Sequence, residues 1–125
     1  MQRIFLFTGA LFAFIGIAAG AFGAHILKHQ LSTEMLSVFE TAVRYQMYHA
    51  LGLILLASIP GSLLGKWKSF TGWFFMTGTL LFSGSLYVLS LTGIRWVGAV
   101  TPIGGTIFLL GWLGLALGSL RKSPN

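Results

Sequence analysis

His25, Tyr45, Gln46, His49, Ser83, Ser85, Tyr87 and Thr101 are the residues of this 125-residue chain whose types and positions suit chemistry or ligand binding. Tyr45 and His49 are four apart, so a helix places them on one face. A histidine takes up and releases a proton near neutral pH, and two of them, such as His25 and His49, are the ligand set of a haem iron or another metal. The commoner use of such groups in apolar helices is to hydrogen-bond a neighbouring helix or the backbone. Ser83, Ser85 and Thr101 fit that use, and Thr101 also precedes Pro102, whose missing N–H loosens a helix. Tyr45, Tyr48 and Tyr87 suit anchors at a membrane interface. The chain has no Gly-rich phosphate loop, no nucleophile elbow and no carboxylate pair inside an apolar run, so its residues point away from an enzyme. Without cysteine it has neither a disulfide nor a thiolate metal site, and the pattern calls for no cofactor.

The elements that carry these residues are long and apolar. Hydrophobic residues make up 55% of the chain and charged ones 8%, against about a quarter charged in a soluble domain. The basic excess, eight Lys and Arg over two acids, is spread in ones and twos: Arg3, Lys28, Arg44, Lys66, Lys68, Arg95, Arg121 and Lys122. Such spacing belongs to the short loops of a membrane protein rather than to a nucleic-acid patch. The partner it implies is the lipid bilayer, not nucleic acid.

Four spans are expected, at about 4–25, 33–59, 69–91 and 96–120, as one all-α domain: an integral membrane four-helix bundle with short loops. Arg3 and Ala19-Gly20-Ala21 also fit a signal peptide, but the apolar run is long for one, so it is read as a span. The second span is the least simple. The 15 residues between Arg44 and Pro60 make roughly 22 Å of helix against about 30 Å of hydrocarbon, so it should begin earlier, near Ser32 or Thr33. Ser37-Val38-Phe39-Glu40 fits a capping box and offers a later start. Glu40 and Arg44, four apart, are placed to pair.

Lys and Arg then orient the spans. Both termini and the middle loop share one side with Arg3, Lys66, Lys68, Arg121 and Lys122, and Lys28, Arg44 and Arg95 fall on the other with both acids. Five against three puts the termini in the cytoplasm. All the candidate residues then fall in the outer half of the membrane, where they are expected to line one polar recess.

Helices in lipid associate through small residues and interhelical hydrogen bonds. Gly9, Ala13, Gly16, Gly20 and Gly23 form one smooth stripe in the first span, and Gly104, Gly111, Gly114 and Gly118 form another in the fourth. Gly78, with Thr71 and Ser85, marks the third. These stripes are expected to pack the bundle internally, with a homo-oligomer interface as the alternative.

Four ordered motifs carry a family resemblance: Gly20-Ala21-Phe22-Gly23-Ala24-His25, Tyr45-Gln46 with His49, the run from Phe82 to Tyr87, and Thr101-Pro102-x-Gly104-Gly105 followed by Gly111-Trp112. Together they resemble the YgdD-like small bacterial membrane proteins, catalogued as domain of unknown function number 423. The chain departs from that pattern with Arg44 directly before Tyr45-Gln46, where the pattern would accept an acidic residue, so no carboxylate is carried over to that position. The resemblance implies a four-span protein of the bacterial inner membrane and no established reaction. The expected function is therefore non-enzymatic, the binding of a lipid or a membrane-protein partner. The alternative is an oligomeric transporter or channel for a small solute or ion, and the third reading is a haem-bearing redox subunit.

Overall fold

The computed structural model describes residues 2–122, and no strand occurs among them. Four long helices account for most of the chain. α1 runs from Gln2 to Leu27 and is interrupted by a π-helical turn at Ala19–Gly23. α2 is Thr33–Ser58, and α3 is Lys66–Thr92. α4 is Thr101–Ser119, entered through a 3₁₀ turn at Arg95–Ala99.

Local chemistry sets the ends. The Ser32 hydroxyl accepts the Met35 N–H at 3.1 Å, so α2 starts at Thr33 and runs through the alternative capping box at Ser37 without a break. Gly65 and Gly93 take φ of 58° and 74°, the left-handed conformation that side chains disfavour. They make the turns into α3 and out of it. Between α2 and α3, Gly61–Leu64 adds one helical turn.

α1, α3 and the segment Arg95–Ser119 are each long and apolar enough to cross a membrane. α2 matches them in length, with 26 residues, but its first half carries Glu34, Glu40 and Arg44. Glu40 and Arg44 are exposed, and no ion pair forms among the described residues, contrary to the expected pairing. An exposed pair gains only about 0.2–1 kcal/mol, which offers little reason to immobilise two long side chains.

The helices pack in chain order: α1 on α2, α2 on α3, α3 on α4. Glycine is what permits the approach. A methyl group on Gly9 would stand 2.8 Å from the Ala50 carbonyl of α2, and one on Gly16 would stand 2.6 Å from the Met47 sulfur. Gly20 and Gly23 face Val43 and Phe39 of the same helix, so the α1 stripe lies wholly against α2. Ala13, in the same row, is half-buried. The α4 stripe lies against α3 in the same way. Gly104 meets the backbone of Phe82, Gly111 meets Phe75, Gly114 meets Phe70, and Gly118 meets Trp67. Gly78 of α3 receives the Phe108 ring. One contact is not visible in any stripe. Phe5 of α1 is fully buried and reaches past α2 to seat on Gly72 of α3, where it joins Leu53, Leu56, Leu64 and Phe75 in the core.

Candidate functional site

Gln46 is the centre of the polar interior. It is 4% exposed, and its amide nitrogen donates to the Phe12 carbonyl of α1 at 2.8 Å. Its amide oxygen accepts the Tyr87 hydroxyl of α3 at 2.6 Å. One side chain of α2 thus holds both neighbouring helices. Gly16 makes the first of these bonds accessible. A side chain four residues after a carbonyl leans back over it, and at Gly16 that space is open to the Gln46 amide, 3.5 Å from where a methyl would sit.

His49 lies one turn deeper, on another face of α2. The Trp112 indole N–H of α4 donates to its Nε2 at 3.0 Å. Its Nδ1 lies 2.7 Å from the Tyr45 carbonyl. Because Nε2 accepts, Nδ1 must carry the proton and donate, so this bonding pattern belongs to the neutral ring. The imidazole also stacks on Phe108 at 3.5 Å between centroids and meets the Phe75 ring edge-on.

The hydroxyls bind helices together in a third group. Ser83 donates to the Ala42 carbonyl across the α2–α3 contact at 2.7 Å. Ser85 lies 2.9 Å from the Phe82 carbonyl and 2.5 Å from the Thr101 hydroxyl. If Ser85 donates to the carbonyl, Thr101 donates to Ser85, and α3 is tied to the start of α4.

The single recess expected from the sequence is therefore divided. Gln46, Ser83 and Tyr87 border a small cavity of about 180 Å³ between α1, α2 and α3. Tyr45 and His49 border a separate one of about 430 Å³ with Phe82, Phe108 and Trp112. His25 belongs to neither. It is exposed at the end of α1 and makes none of the hydrogen bonds or ring contacts that join the others. It follows the π-helical turn at Ala19–Gly23 and lies in the short α-helical turn Ala24–Leu27 that ends α1. His25 and His49 do not form a ligand pair, and both ring nitrogens of His49 already have partners.

Trp112 is the functional residue that sequence reasoning missed. It stood in a motif, but its ring is 42% exposed, and nothing in the spacing marks its indole N–H as the partner of a histidine on α2. Lys68 was also missed as an interior residue. It is 5% exposed, and its ammonium donates to the Ala57 carbonyl at 3.3 Å and to the Ile59 carbonyl. Those carbonyls belong to the last turn and the cap of α2, which lack helical partners of their own. Gln2 donates to Ala57 as well, at 3.0 Å.

Comparison with known proteins agrees with the motifs. Residues 19–105 match the family described as "Protein of unknown function (DUF423)". A UPF0382 membrane protein of Staphylococcus saprophyticus is 48% identical over 122 residues, covering 96% of this chain and 99% of the relative. One of Staphylococcus haemolyticus is 47% identical over 122 residues, covering 96% and 98%. The UPF0382 membrane protein YwdK of Bacillus subtilis is 41% identical over 121 residues, covering 96% and 98%. No solved structure matches the chain. A helical chain with three helices apolar enough to span a bilayer, matched along nearly its whole length by membrane proteins, belongs to the membrane-protein family of unknown function DUF423.

Proposed function

We propose that the protein is a non-enzymatic, four-span protein of the bacterial plasma (inner) membrane, with both termini in the cytoplasm, that binds lipid or a membrane-protein partner on its outer faces. α2 is the fourth span. It lies between α1 and α3, has 26 residues against their 26 and 27, and its interior polar residues Gln46 and His49 turn toward protein. The carrying observation is that these polar groups are consumed in holding helices together. Gln46, His49, Ser83, Ser85, Tyr87 and Thr101 all have protein partners, and none of these bonds pairs a hydroxyl with a general base, the arrangement that activates a nucleophile. What remains open are grooves between helices and broad apolar faces with Phe7, Phe14 and Leu109 outward, which suit lipid tails or another apolar helix.

A transporter or channel is the weaker reading. An exporter coupled to protons needs an ionisable group free to load and unload inside the membrane, and His49 has both nitrogens engaged. Native mass spectrometry from mild detergent tests the proposal. Retained lipid, or one stoichiometric protein partner, is the expected result. Solute-coupled proton flux into liposomes, with neither lipid nor partner retained, would overturn it.

A further inference from the structure

The end of the molecule where α1 begins and α2 finishes differs in charge from every other part of it. Arg3, Lys66, Lys68, Arg121 and Lys122 are gathered there, whereas Glu34 and Glu40 sit toward the opposite end of α2. The contacts of Gln2 and Lys68 with Ala57, and of Arg121 with the Ser62 carbonyl at 3.1 Å, bring the four chain segments to one place. The partners of Lys68 and Arg121 there are neutral carbonyls, so the positive charge is uncompensated.

Two cavities meet at this end. One is a groove of about 600 Å³ between α1 and α2, walled by Leu6, Leu51, Ile54 and Leu55, with Gln2 and Arg3 at its charged end. The other, about 370 Å³, is lined by Gly61, Gly65, Lys68 and Ser69, and it shares Gln2 with the first. Each lies within the range of about 300–1,000 Å³ usual for ligand pockets. An apolar channel opening sideways, joined at its end to a cationic polar cavity, has the two-part chemistry of a phospholipid.

We propose that this end holds one anionic phospholipid, its phosphate headgroup beside Arg3 and the Lys68 cavity and an acyl chain along the α1–α2 groove. The inference rests on the lipid-binding reading above and narrows it to one site and one lipid charge. A zwitterionic headgroup brings its own cation against Arg3 and Lys68 and gains less. Each basic residue near an anionic headgroup contributes roughly fivefold in affinity, so two of them give a clear preference.

Native mass spectrometry of the full chain, titrated with phosphatidylglycerol and with phosphatidylcholine of the same acyl chains, tests the site. Phosphatidylglycerol should bind up to about 25-fold more tightly. Arg3→Gln, a change at an exposed side chain, should cut the preference to about fivefold. Ile54→Trp should fill the groove and weaken both lipids. Arg95→Gln, at the far end, should change neither, and circular dichroism checks that each variant remains helical. Equal retention of the two lipids overturns this site and leaves the lipid-binding reading standing. Retention of neither, with a stoichiometric protein partner instead, overturns the lipid half of both. Displacement of phosphatidylglycerol by inorganic phosphate, with Ile54→Trp without effect, would show a free-anion site and overturn the acyl-chain assignment.

Discussion

Gln46 shows how a single side chain can serve two helix contacts at once. Removing its partner is worse than removing both groups, because a buried acceptor left without a donor keeps its desolvation cost of about 1–3 kcal/mol. Tyr87→Phe should therefore destabilise the protein, and adding Gln46→Leu to it should cost less than the two single changes summed. A double-mutant cycle on unfolding in bicelles should give a coupling of about 0.6 kcal/mol, the average for hydrogen bonds between membrane helices, and at most about 1.7 kcal/mol. Additive effects would mean that the 2.6 Å bond contributes nothing. At this scale the sequence was legible in part. Polar residues in apolar runs announced themselves, and seven of the eight named candidates do occupy the helix contacts. Which pairs they form was not legible, because Gln46 and His49 are three apart and so lie on faces that sequence spacing alone does not separate. His25 was misplaced for a related reason. Its motif predicts a helix end but not the π-helical turn that precedes it at Ala19–Gly23.

Between elements, the glycine rows decide how near the backbones come. They were the most legible feature of all, since a repeat of sevens and of alternating threes and fours requires one face. The structure adds a ranking among them. A side chain on Gly104 would meet backbone atoms of Phe82, the nearest 2.5 Å away, whereas one on Gly20 would meet only a Val43 methyl at 3.1 Å. Backbone cannot swing aside, but a valine can turn. Gly104→Leu should therefore lower thermal stability by more than Gly20→Leu, with the former at the upper end of the roughly 1–3 kcal/mol usual for overpacking. Leu11→Ala, at a 41% exposed position, should change little. Unfolding temperatures in one detergent check the order, and a reversed order would mean that the α3–α4 contact is soft. The seat of Phe5 on Gly72 was not legible, because it joins α1 to α3 across an intervening helix and leaves no periodic trace.

For the whole molecule, the uneven charge of the two ends is the basis of orientation. Fusions of a fluorescent protein after Asn125 should glow in intact cells, and fusions of a periplasmic phosphatase at the same place should be inactive. Fusions in the Lys28–Leu31 connection should behave oppositely. The reverse pattern would turn the molecule over and place the cationic end outside. The all-helical class was legible from the length of the apolar runs. The standing of α2 was less so, because Glu34, Glu40 and Arg44 dilute its apolarity while its packing between α1 and α3 keeps it in the row. That row has a kinetic consequence. Because each helix lies on the one before it, nearly every interhelical surface is complete as soon as the later of two consecutive segments has left the ribosome, and little chain must be held waiting for a distant partner. The α1–α2 hairpin already contains the Gln46 bond to Phe12 and the whole first glycine row. The tie between Trp112 and His49, 63 residues apart, is among the last to close, so a chain halted before α4 would leave the His49 ring without its indole donor.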